Sequence, residues 1–136
     1  MYMPTIRDAR RVATYIIGPY IGVMLTDCES VGMIDYRHVL FVYLPDPHNP
    51  EARPQVVMAV AAEISSFLAQ SREDSQEDAY FLGVFPGDGH LNMGLSADWN
   101  DLDKFTVRAL EVACSHLNVE KAPFRMPDKP DRQTHD

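Results

Sequence analysis

The sequence is poor in the residues that would staple, anchor or positively charge it. Cysteine occurs twice in 136 residues, as Cys28 and Cys114. A secreted domain of this size usually carries more cysteines, evenly paired, so two reduced thiols are expected rather than a disulfide framework. The apolar run from Val12 to Leu25 is too short for a membrane span of ~20 residues. It lies behind Arg7, Arg10 and Arg11, as a signal peptide would, but Gly18-Pro19 interrupts it. Asp27 also precedes Cys28, where a processing site wants small neutral residues. The run therefore reads as core structure and the chain as a cytoplasmic one. Basic residues are scarce in the middle. Between Asp27 and Asp103, fourteen acidic residues face only Arg37, Arg53 and Arg72, a balance of −11 within a total of −8. Such a body repels nucleic acid and anionic membrane and suits a basic protein partner, or mimicry of nucleic acid. Solubility alone also accounts for a charge of this size.

What remains is ordinary globular material, 46% apolar and 24% charged. A chain this long buries roughly two thirds of its unfolded surface, enough for one core. Thr5 with Asp8 forms a variant capping box, and Ile6, Ala9, Val12, Ala13, Ile16 and Ile17 follow at helical spacing. This predicts a helix over 5–17, stopped by Gly18-Pro19. Tyr20–Leu25 and His38–Leu44 read as strands, the second covered on both faces. Four prolines make 45–54 an extended loop. Val57, Val60, Ala61, Ile64, Phe67 and Leu68 predict a helix over 54–71, and 71–78 a solvated acidic loop. Tyr80–Phe85 and Leu91–Leu95 flank Pro86-Gly87-Asp88-Gly89 and predict a hairpin. A third helix is expected over 101–118, with acidic residues at its positive end. The expected fold is a single α+β domain over 1–118, in the order α-β-β-α-β-β-α. Its mainly antiparallel sheet would pack against helices, and a flexible Pro-rich tail over 119–136 would follow.

No constellation has the spacing of a catalytic or metal site. Gly87-Asp88-Gly89-His90 joins two strands, whereas a phosphate loop must open a helix. Cys114 and His116 are two apart on a helix and point to different faces. Asp46 with His48, and Asp27-Cys28-Glu29, lack the four ligands of structural zinc. Glu73-Asp74 and Glu77-Asp78 lie in a polar run, without the burial that raises an acid's pKa. No catalytic residue, metal or cofactor is assigned. The hairpin is different, because both its faces carry large apolar side chains. Tyr80, Leu82 and Val84 take one face, Phe81 and Phe85 the other. An uncovered face would be an apolar patch of the kind that marks a binding surface.

The second half also resembles the small class I type III secretion chaperones. The likeness runs through Phe67-Leu68, Leu82-Gly83, Asp88-Gly89, Leu91, Met93, Leu95, Leu102-Asp103, Phe105 and Ala109-Leu110-Glu111. The resemblance implies a homodimer that holds an extended partner on exposed apolar surfaces. Together these features predict a non-enzymatic protein-binding module, a chaperone-like adaptor or an inhibitor of the immunity or anti-defence type. Phe81, Phe85, Met93 and Trp99 would be its apolar anchors, with Asp74, Glu77, Asp78 and Asp88 steering a basic partner. The competing expectation is a small enzyme or small-molecule binder, with a pocket near the sheet built from His38, Tyr43 and His90.

Overall fold

Gly18 and Pro19 turn the chain back on itself. Gly18 takes φ +58, which favours glycine, and Pro19 presets its own φ. This two-residue loop joins β1 (Ile6–Ile17) to β2 (Tyr20–Ser30), with Ile17 paired to Tyr20. β3 (Ile34–Leu44), β4 (Gln55–Ser65), β5 (Tyr80–Phe85) and β6 (Leu91–Ser96) follow. A 3₁₀ turn (Ala97–Asn100) leads into α1 (Leu102–Leu117), and a two-residue strand, β7 (Phe124–Arg125), comes last. The computed structural model describes residues 3–65, 68 and 79–127. Among them is one seven-stranded sheet, in the order β6-β5-β4-β3-β2-β1-β7, with every neighbouring pair antiparallel.

This overturns the α-β-β-α-β-β-α order. Where helices were expected over 5–17 and 54–71, Ile6–Ile17 and Gln55–Ser65 are β1 and β4, and of 66–71 only Leu68 is described, in helical conformation; the described residues thus form a sheet with one complete α-helix. Each error has a physical cause. The pairing of β1 with β2 slips between Ile6 and Asp8, between Asp8 and Arg10, and between Arg11 and Ala13. Each slip shifts the phase of alternation, so apolar residues fall three and four apart, as they would on a helix. In β4 every residue from Met58 to Ile64 is buried, because the strand lies inside the sheet with both faces covered. Continuous burial erases the two-residue period, and its alanines then mimic a helix. Residues 66, 67 and 69–78 lie outside the described residues.

α1 forms where it was expected. Asp101 caps it, its Oδ1 accepting from the N–H groups of Asp103 (2.9 Å) and Lys104 (3.1 Å). Asn118, at φ +56, ends it, while Val119 N–H donates back to Cys114 O at 2.9 Å. Phe105, Ala109 and Ala113 recur every fourth residue and are buried. They meet Ile17, Met24, Leu40, Val42, Met58, Val60, Leu82 and Val84, which makes this face of the sheet the main core. The opposite face has a smaller cluster of Val39, Ala59, Ala61 and Phe85, flanked by Met3, Ile6, Cys28, Tyr36 and Phe41. Residues 119–127, read from the sequence as part of the tail, include β7, and Met126 N–H donates to Thr14 O at 2.8 Å. Residues 128–136 lie outside the described residues.

A buried histidine ties α1 to the sheet. His38 is 2% exposed, and its Nδ1 accepts from the Thr26 hydroxyl at 2.7 Å. Its Nε2–H donates to the Asn100 carbonyl at 2.8 Å. Both ring nitrogens are satisfied in the neutral form, and burial holds the imidazole below its ordinary pKa. Arg37 reinforces the junction, donating to Asn100 Oδ1 at 3.1 Å and pairing with Asp27.

Candidate functional site

The β5–β6 hairpin forms at the predicted place and supplies the most distinctive surface. Its connection uses Gly87 at φ +112 and Gly89 at φ +86, so Gly87-Asp88-Gly89 is turn chemistry and not a phosphate cradle. The predicted faces hold: Leu82, Val84 and Tyr80 lie under α1, and Phe85 lies on the opposite side. Only the inner strand is buried. β6 ends the sheet, and Leu91, Met93 and Leu95 on it are 55%, 48% and 44% exposed. The described segment from Ala79 to Asp103 contains Asp88, Asp98, Asp101 and Asp103 and no lysine or arginine.

The predicted contact residues separate on this frame. Met93 and Asp88 are exposed at the hairpin. Phe85, at 1% exposure, is interior and stacks on His90 with ring centroids 4.3 Å apart. Phe81 is half-buried beside Glu63, and Trp99 is half-buried against the main core. Asp74, Glu77 and Asp78 lie outside the described residues. The sequence reading passed over Leu91 and Leu95 as contacts. Their signal was three large apolar residues at alternate positions on the second strand of the hairpin.

It also passed over Glu63, a lone acid in an otherwise apolar strand. Glu63 is 6% exposed, and its Oε2 is hydrogen-bonded to His90 Nε2. The other oxygen, Oε1, is buried without a hydrogen-bond partner among the described residues. Burial pushes the Glu63 carboxyl above its ordinary range, although the His90 imidazole pulls it back. Room for the carboxyl comes from Gly83 on the adjacent strand. A Cβ there would stand 2.5 Å from Glu63 Cδ and 2.9 Å from Oε1. Glu63, Gly83, Phe85 and His90 thus lock the start of β6 to the middle of the sheet.

The trio proposed for a small-molecule pocket does not come together. His38 faces α1, whereas Tyr43 lies beside Phe41 on the opposite face, with ring centroids 6.4 Å apart. His90 belongs to the Glu63 lock. Asp46 Oδ1 accepts the His48 backbone N–H at 2.9 Å, an ordinary loop turn. Among the described residues no three His, Cys, Asp or Glu side chains are grouped to hold a metal ion. Both cysteines are free, and burial pushes the Cys28 thiol up to about 11, far from a reactive thiolate. No described helix is long and apolar enough to cross a membrane. The chain matches no protein-family model, no curated protein and no solved structure, so its functional reading rests on its own residues.

Proposed function

We propose that this protein is a non-enzymatic protein-binding module of the adaptor or inhibitor kind, with its contact surface at the β6 end of the sheet. One observation carries the reading: Leu91, Met93 and Leu95 stand about half exposed on a terminal strand, in a segment whose only full charges are carboxylates. Covering the exposed half of each would contribute roughly 1 kcal/mol, or ~3 kcal/mol together. That favours a moderate, specific contact over a permanent one. Asp88 and Asp98 would speed the approach of a basic partner more than they would tighten the complex.

The test is affinity capture from the protein's own cells with the natural chain and with a Met93→Ser, Leu95→Ser variant, at low and high salt. One stoichiometric partner, held by the natural chain and lost with the variant, is the expected result. Equal capture by both proteins, or no capture at either salt, refutes the reading.

A further inference from the structure

We infer that β6 takes its partner by strand addition, the occupant being an extended segment of a basic protein, about six residues long to match β6. The inference rests on the protein-binding reading above and names how the contact is made and what chemistry it accepts. In an antiparallel pair, alternate residues direct their N–H and C=O groups away from the neighbouring strand. No described strand receives those of β6. Within β6 the Gly94 N–H is bonded locally, to Asn92 Oδ1 at 2.8 Å.

The opposite end of the sheet is protected where this end is not. There the outermost strand, β7, is only two residues long, and the part of β1 it leaves uncovered carries Arg7, Asp8, Arg10 and Arg11. Short strands and charged side chains are the usual guards of a sheet edge. β6 has no lysine, arginine, aspartate, glutamate or proline between Leu91 and Ser96. Its one guard is the irregularity at Gly94, at φ +112, where the pairing with β5 shifts register.

Charge selects the occupant. Asp88 lies three residues before β6 and Asp98 two residues after it, both exposed. Asp98 has only a loose, exposed pair with Lys104 at 3.4 Å. A second copy of β6 running antiparallel would set Asp88 of one chain toward Asp98 of the other, an unfavourable like-charge approach. The register shift sets Leu91, opposite Val84, and Leu95, opposite Phe81, on different faces, so a strand with lysine or arginine at both ends and apolar residues between them on both faces satisfies the edge, the side chains and the charges together.

The experiment selects binders to the full chain from a displayed library of random dodecamers, with two comparison baits checked for unchanged circular dichroism and melting. One bait carries Leu91→Ser, Met93→Ser and Leu95→Ser, the other Asp88→Asn and Asp98→Asn. The best peptide is then synthesised, and each backbone nitrogen is methylated in turn for calorimetric titration. The expected peptide carries apolar residues between basic ends and is lost on the first bait. N-methylation weakens it about tenfold at every second position and leaves the positions between unchanged. A peptide that is lost on the first bait but has no such alternation overturns strand addition while leaving the protein-binding reading intact. Selection that enriches nothing over the first bait overturns both. A concentration-dependent dimer of the natural chain, abolished by the three serine substitutions, would make the occupant a second copy and overturn the basic partner.

Discussion

Gly83→Ala tests whether the Glu63–His90 lock is what fixes the hairpin to the sheet. Gly83 is absent from the residues with positive φ, so its backbone conformation suits alanine. The added methyl instead strikes the Glu63 carboxyl, 2.5 Å from Cδ and 2.9 Å from Oε1. The carboxyl must move and its bond to His90 breaks. Losing a hydrogen bond to a charged group costs ~1.5–3 kcal/mol. Overpacking a closed interior adds ~1–3 kcal/mol. The expected loss is therefore about 2.5–6 kcal/mol, a large share of the ~5–15 kcal/mol that stabilises a domain. Glu63→Ala removes the obstacle. In that background Gly83→Ala should be nearly neutral, or stabilise by up to ~1 kcal/mol by restricting the unfolded chain. The assay is urea unfolding of the four proteins of the cycle, followed by circular dichroism and compared at constant slope. Costs that add to within ~0.5 kcal/mol would refute the coupling, since independent sites behave that way.

Two further predictions concern pH and capping. Glu63 and His38 impose opposite trends. The raised Glu63 pKa means its stabilising contribution is full below the ordinary value of 4.5 and is lost as pH rises through the folded value. The lowered His38 pKa means its contribution is full above 6.5 and is lost as pH falls through the folded value. Glu63→Gln should therefore flatten the alkaline-going decline in melting temperature and leave the acid-side decline in place. Neither slope can exceed ~1.4 kcal/mol per pH unit for one proton, and a profile unchanged by Glu63→Gln would refute the assignment. Asp101→Ala removes the cap that bonds Asp103 and Lys104 N–H, and should cost ~1 kcal/mol in urea unfolding. A loss under ~0.3 kcal/mol would mean that water replaces the cap.

The lock and the free edge belong to one arrangement. Glu63 sits in the middle of the sheet, paired with Tyr36 on one side and Phe81 on the other. Through His90 it holds the residue that precedes β6. A strand at the margin of a sheet lacks a second neighbour to keep its main-chain groups in register. The interior carboxyl supplies the missing tether from below, which gives a buried acid in an apolar strand a structural purpose.

The chain by itself determined the features governed by near neighbours in sequence. The glycine-rich turn needs positive φ, so Pro86-Gly87-Asp88-Gly89 marked the hairpin whatever surrounded it. Acidic residues at the positive end and apolar residues at helical spacing marked α1, because a helix satisfies its own backbone and shows its core as a stripe, whereas the cap expected at Asp98 or Asn100 is Asp101. The alternation of Leu82 and Val84 against Phe81 and Phe85 marked the two hairpin faces. Tertiary structure decided the rest. A strand's partners are distant in sequence, so the bulges that rephased β1 and the two-sided burial that hid the period of β4 were set by neighbours the local pattern could not name. The same holds for the surface. Met93 is a contact candidate and Phe85 is not, because β6 ends the sheet while β5 lies one strand inside it. Glu63 became a lock only when pairing brought it between Phe81 and Tyr36, over a glycine that leaves room for its carboxyl.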